Sequence, residues 1–127
     1  MTLLNVNPTK SSPLIKFDPS TSVLEIRGES YPENCNDFYA PVLNWLEQYI
    51  EREVPRIELN MEVIYFNSSS SKTFMDMFDI LDDAASAGKK VVINWLYHED
   101  NEIAQECGEE FMEDVDNIRF NLVEIPS

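Results

Sequence analysis

Residues 56–72 read RIELNMEVIYFNSSSSK, and how this stretch is parsed decides the fold. Ile57, Leu59, Met61 and Val63 alternate with Glu58, Asn60 and Glu62, the period-two pattern of a strand with one apolar face. From Val63 to Phe66 the run is wholly apolar, which predicts an end buried on both faces. Four serines follow. Serine runs often mark flexible linkers, but a helical pattern lies directly beyond this one. Phe74, Met77, Phe78, Leu81, Ala84 and Ala85 recur at three- and four-residue steps, and Gly88 is placed to end the helix. The serines therefore form a strand-to-helix turn and not an interdomain hinge.

The same grammar extends to both sides. Upstream, Leu14–Asp18 and Ser22–Gly28 predict two short strands joined through Pro19-Ser20-Thr21 as a hairpin. After Pro32, the spacing of Phe38, Val42, Trp45, Leu46 and Tyr49 predicts a helix that Pro55 stops. Downstream, Lys89–Tyr97 is almost continuously apolar and predicts a central strand. Glu99–Val115 predicts a third helix with Ile103, Cys107 and Phe111 as its core stripe, and Ile118–Ile125 a last strand. The polar start, residues 1–12, predicts a flexible N-terminal arm. The expectation is a single α/β domain over 13–127, with a mixed five-stranded sheet, an N-terminal hairpin and about three helices. Strands alternating with helices imply crossovers and a parallel region. The carboxyl edge of such a sheet, where the serines fall, is where functional sites tend to lie.

With 127 residues, 43% of them hydrophobic, the chain suits one domain with a proper core. No stretch approaches the roughly 18 apolar residues of a membrane span. No basic segment followed by an apolar core marks a secretory signal, so a cytoplasmic location is expected. Cys35 and Cys107 then read as free thiols. Asp and Glu number 24 against 9 Lys and Arg, a formal net charge of −15. No grouping of Lys or Arg is visible along the chain, so neither nucleic acid nor an anionic membrane is an expected partner. Solubility accounts for the charge in general; a partner with a basic docking surface is the sharper reading.

Carboxylates are numerous enough to raise metal chemistry. Asp76, Asp79, Asp82 and Asp83 lie on the second helix, and oxygen ligands suit a hard cation. His98, beside Glu99 and Asp100, has the chemistry of a general base. A small metal-dependent enzyme using Asp76, Asp79 and His98 is the remote alternative. One histidine makes no usual zinc site, and three glycines leave no phosphate-cradling loop. A solvated acidic face and a surface histidine explain these residues better. No catalytic residue, metal site or cofactor is predicted.

The serines have more to offer. Asn67, Ser68, Ser69 or Ser70 could each cap the second helix, and one cap is enough. The residues by themselves favour plain capping. A phosphate at that helix start would nevertheless be stabilised by free N–H groups and the macrodipole, with Lys72 one turn away. It would add about −1.5 to −2 charge. Met75 and Ile80 fall off the predicted buried face, as part of either an interaction surface or a wide core stripe.

Several segments together carry a family likeness. Gly28–Asn34 (GESYPEN), Tyr65–Lys72 (YFNSSSSK) followed by Met75-Asp76, then Trp95-Leu96-Tyr97 and Glu109-Glu110-Phe111 resemble the SiaC-type bacterial regulatory phosphoproteins, from about Pro13 to the end. The resemblance implies a STAS-like fold akin to anti-anti-sigma factors and a non-enzymatic, partner-switching role. It implies a cognate protein kinase, a PP2C-type phosphatase, and an unphosphorylated form that binds and activates a diguanylate cyclase, raising cyclic di-GMP and promoting aggregation or biofilm. By position the acceptor is Ser68, where familiar relatives carry threonine; Ser69 and Ser70 are the alternatives. Partner contact is expected at Tyr31, Pro32, Glu33, Asn34, Asn67, Ser69, Lys72, Met75, Asp76 and Ile80. The alternative within the same resemblance is an anti-anti-sigma-like regulator that binds a sigma-factor antagonist kinase.

Overall fold

The computed structural model describes all 127 residues. In chain order the elements are β1 (Leu4–Val6), β2 (Leu14–Asp18), β3 (Val23–Ser30), α1 (Cys35–Tyr49), β4 (Arg56–Phe66), α2 (Ser68–Ser86), β5 (Lys90–His98), α3 (Glu102–Asp114) and β6 (Arg119–Ile125). They build one mixed sheet in the order β1-β2-β3-β4-β5-β6. β1, β2 and β3 are antiparallel neighbours, and β3 to β6 run parallel. Each parallel neighbour lies one step further in the same direction. Right-handed crossovers then place all three helices on a single face. The aromatic contacts agree: Tyr39 of α1 and Phe66 of β4 both meet Phe74 of α2, and Phe66 also meets Phe111 of α3.

The strand alternation fixes which side chains lie beneath the helices. Leu24 and Ile26, Ile57, Leu59 and Met61, and Ile93 and Trp95 are fully or almost fully buried. The opposite face is polar. There Arg27 holds Glu25 and Glu62 at 3.2 and 2.9 Å, and Asn60, Asn94 and Asn121 pass side-chain hydrogen bonds across three strands. A one-sided sheet of this kind has a core face and a solvated face.

Four expectations are corrected. The sheet has six strands and not five. The extra strand, β1, lies within the stretch read as a loose arm, and pairs Leu4 with Phe17 and Val6 with Ile15. Trp45 ties it down further, its indole N–H donating to the Thr2 carbonyl at 2.9 Å. Three residues are too few to show a period.

Second, α1 ends at Tyr49, well before Pro55, and α3 begins at Glu102, because β5 runs on to His98 and Asn101 is the cap. Third, α3 turns a different face inward. Ala104, Gly108 and Phe111 are buried, whereas Ile103 is 74% exposed. The cause is close packing. A Cβ on Gly108 would come within 2.5 Å of Trp95, and the Trp95 indole N–H donates to the Ala104 carbonyl at 2.9 Å. Only small residues fit between that helix and the sheet.

Fourth, the apolar end of β4 is not buried on both faces. Its register on β3 jumps from Gly28↔Val63 to Glu29↔Tyr65, so Ile64 is an extra residue, a bulge beside Gly28 at φ 119°. Bulges bend a strand and re-aim its side chains. Ile64 and Tyr65 are turned outward, 49% and 54% exposed, while Phe66 returns beneath the helices against Phe74 and Trp95.

The reading that Lys and Arg form no grouping is also overturned. Arg56, Lys89, Lys90 and Arg119, distant in sequence, line a depression of about 470 Å³ at the amino ends of β4, β5 and β6. The parallel register brings these strand starts side by side.

Candidate functional site

Every helix starts with the same device. Asn34, Asn67 and Asn101 follow the carboxyl ends of β3, β4 and β5, and each side-chain oxygen accepts from the backbone N–H three residues on, at 3.1, 2.9 and 3.1 Å. Asparagine is among the best residues for this position. Three helix N-termini therefore open along one edge of the sheet, the edge opposite the Lys and Arg depression.

At the middle terminus the structure separates the four serines. Asn67 is the cap, so no serine is needed for that role. Ser68 and Ser69 are exposed in the first turn. Ser71 is half-buried, and its N–H donates to the Asn67 carbonyl. Ser70 is fully buried, its hydroxyl bonded to Ser30 at 2.8 Å and set 3.8 Å from the Cys35 sulfur. Ser30 also bonds the Tyr39 hydroxyl at 2.6 Å, and Cys35 lies 3.5 Å from the Thr73 hydroxyl. Burial pushes the Tyr39 phenol well above the ordinary tyrosine value, so it stays neutral and remains available as a hydrogen-bond donor. This cluster stitches the end of β3 to the starts of α1 and α2. Sequence reasoning missed Ser30, Cys35, Tyr39 and Thr73, because nothing in a linear pattern links polar residues 40 positions apart.

The residues expected to meet a partner divide by geometry. Tyr31 is half-buried and packs edge-on against Tyr65, with ring centroids 5.6 Å apart. That contact and the Ser30–Ser70 bond bring the 28–34 segment beside the serine turn. Glu33, Asn34, Ser69, Lys72, Met75 and Asp76 are exposed, and Pro32 and Asn67 half-exposed. Ile80 packs against the core, so the wide apolar stripe accounts for it, whereas Met75 remains 40% exposed. The remote metal set is dispersed. Asp76 and Asp79 are exposed on α2, and His98 lies on the open sheet face 3.3 Å from Glu62. No group of three or more His, Cys, Asp or Glu is placed to hold a metal ion. No helix is long and apolar enough to cross a membrane.

Fold and site together define a small acidic, single-sheet α/β domain that presents a serine-bearing helix start at the carboxyl edge of its sheet. The chain belongs to the SiaC family of regulatory phosphoproteins, whose family model matches residues 6–125. It is 36% identical over 114 residues to an uncharacterized protein of Pseudomonas aeruginosa (strain UCBPP-PA14), covering 90% of each chain. Among solved structures it is similar to apo-SiaC from Pseudomonas aeruginosa, with a TM-score of 0.88 and 32% identity over 97% of this chain and 99% of that one. It is also similar to a chain in the crystal structure of the diguanylate cyclase SiaD in complex with its activator SiaC from Pseudomonas aeruginosa. There the TM-score is 0.92 and the identity 34%, over 96% of this chain and 99% of that one.

Proposed function

We propose that this protein is a non-enzymatic phospho-switch whose unphosphorylated form binds and activates a diguanylate cyclase. A cognate kinase places phosphate on Ser68, and a PP2C-type phosphatase removes it. The observation that carries this reading is the exposed Ser68 in the first turn of α2, with Asn67 already serving as the cap. The complex between relatives supports the cyclase as the partner. Free N–H groups of the first turn and the macrodipole favour a negative group there. Ser70 is a poor acceptor because its hydroxyl is buried and already bonded.

The chain already carries a net charge of −15, so added negative charge alone would strengthen attraction to a basic partner. Loss of contact then has to come from the bulk of the phosphate and from the cost of drying a dianion inside an interface. The test incubates the protein with its cognate kinase and locates the phosphate by mass spectrometry, then follows cyclic di-GMP production by the cyclase of the same genome. Ser68 should carry the label, and the labelled form should stimulate the cyclase less. A Ser68→Ala variant labelled as fully as the parent would remove Ser68 from the role.

A further inference from the structure

The two apolar features that the sequence wrongly buries, the end of β4 and the outward side of α3, meet at one place. β4 pairs with β5 only as far as Met61↔Trp95, while β5 continues along β6 to His98↔Ile125. The sheet therefore forks at its carboxyl edge. The Asn101 side chain crosses the fork, its amide donating to the Ile64 carbonyl at 2.9 Å. Between the end of β4 and the start of α3 lies a notch of about 120 Å³, lined by Ile64, Tyr65 and Phe66 of β4, by Asn101, and by Ile103 and Cys107 of α3. Its wall is strongly exposed at Ile103 and Ile64. Apolar side chains grouped on a surface mark an interaction site more often than ones scattered singly. The bulge at Ile64 and the close seating of α3 on Trp95 both hold this shape.

The α3 side of the notch belongs to a stretch of a single sign. Between Glu99 and Ile118 the chain carries nine carboxylates and no Lys or Arg. Glu99, Asp100, Glu102 and Glu106, which flank the notch in sequence, are all exposed.

We propose that this notch takes one bulky apolar side chain from a Lys- and Arg-rich segment of the partner protein. The inference rests on the proposed docking function and gives that function an anchor. An apolar anchor in a recess, ringed by charged contacts that steer and orient, is the usual arrangement of a binding hot spot. A second copy of this chain is the poorer occupant, because two molecules of charge −15 would bring acidic surfaces together. Phe66 lines the notch, and Ser68 follows it two residues later at the start of α2.

The experiment measures binding of the full-length unphosphorylated protein to the diguanylate cyclase of the same genome by titration calorimetry, with Ile103→Ser, Ile103→Leu, Ile64→Ser and Asp79→Asn variants alongside. Ile103 is exposed, so Ile103→Ser should melt as the parent does. It should nevertheless bind about tenfold or more weakly, as truncation of a hot-spot residue does. Ile103→Leu should retain most affinity, and Asp79→Asn, on α2, should be unchanged. Bound cyclase should also shield Cys107 from iodoacetamide. Parent binding with no loss in either serine variant would overturn the notch alone. Parent protein that does not bind the cyclase at all overturns the function and the notch together. A dimer of the isolated protein that Ile103→Ser dissociates would assign the notch to a second copy and overturn the proposal.

Discussion

Ser68, Asn67 and Ser70 lie within one turn of helix yet have three different environments, and their substitutions should separate. Asn67→Ala removes the α2 cap and should cost about 1 kcal/mol. Ser70→Ala takes a hydroxyl out of the buried Ser30–Tyr39 cluster and should also cost about 1 kcal/mol. Ser68→Ala changes an exposed side chain and should stay within about 0.5 kcal/mol of the parent. Urea unfolding of the three variants reads these differences directly. A Ser68→Ala variant as unstable as Asn67→Ala would show that the hydroxyl is structural, and its loss of phosphate could then be secondary to disorder. The sequence identified this turn and its possible caps, because a cap is local. It left Ser70 among the acceptors, because burial by Ser30 and Cys35 is a tertiary fact that no neighbouring residue announces.

At the scale of elements, α3 is the test of how tightly the helical layer is seated. Alanine in place of a mid-helix glycine ordinarily gains about 1 kcal/mol. At Gly108 the added methyl would lie 2.5 Å from Trp95 Cδ1 and 2.7 Å from Leu122 Cδ2. Trp95 cannot yield easily: it is fully buried, its indole is bonded to Ala104, and Phe66 and Phe111 pack on its ring. Overpacking costs about 1–3 kcal/mol, so Gly108→Ala should lower the melting temperature in spite of propensity. A rise would mean that α3 lifts freely from the sheet. The helices were legible in the sequence because Phe74, Met77, Phe78 and Leu81 repeat over several turns. β1 was hidden because it has three residues and half-buried side chains. The outward turn of Ile103 was hidden because its apolar spacing to Cys107 and Phe111 is as helical as that of the true inner row, Ala104, Gly108 and Phe111. Small residues that permit close approach score as weakly apolar, so a pattern built on hydrophobicity prefers the larger neighbour. The bulge in β4 was hidden for a related reason: an all-apolar run has no alternation from which a one-residue slip could be noticed.

At the scale of the whole molecule the charge is uneven as well as large. Four of the nine Lys and Arg gather at the amino edge of the sheet, while the stretch from Glu99 to Ile118, which spans α3, carries nine carboxylates and no Lys or Arg. Two consequences pull in opposite directions as salt is added. Within the folded chain, a net charge of −15 repels itself, and compacting it keeps like charges close. Screening shortens from about 10 Å at 0.1 M salt to about 3 Å at 1 M, so the repulsion fades and stability should rise. Between this protein and a basic partner the force is attractive, and the same screening should slow association and weaken the complex. The expected outcome is a melting temperature that climbs with sodium chloride over the range in which affinity for the cyclase falls, mainly through the on-rate. Neutralising the notch rim with Glu102→Gln and Glu106→Gln should flatten the salt dependence of binding while leaving that of melting almost unchanged, since two charges are a small part of the total. Neutralising Lys89 and Lys90 should leave the salt dependence of binding unchanged, because they lie at the far edge. An affinity that holds or increases with salt would place the contact on an apolar surface and overturn attraction between unlike charges as its driving force.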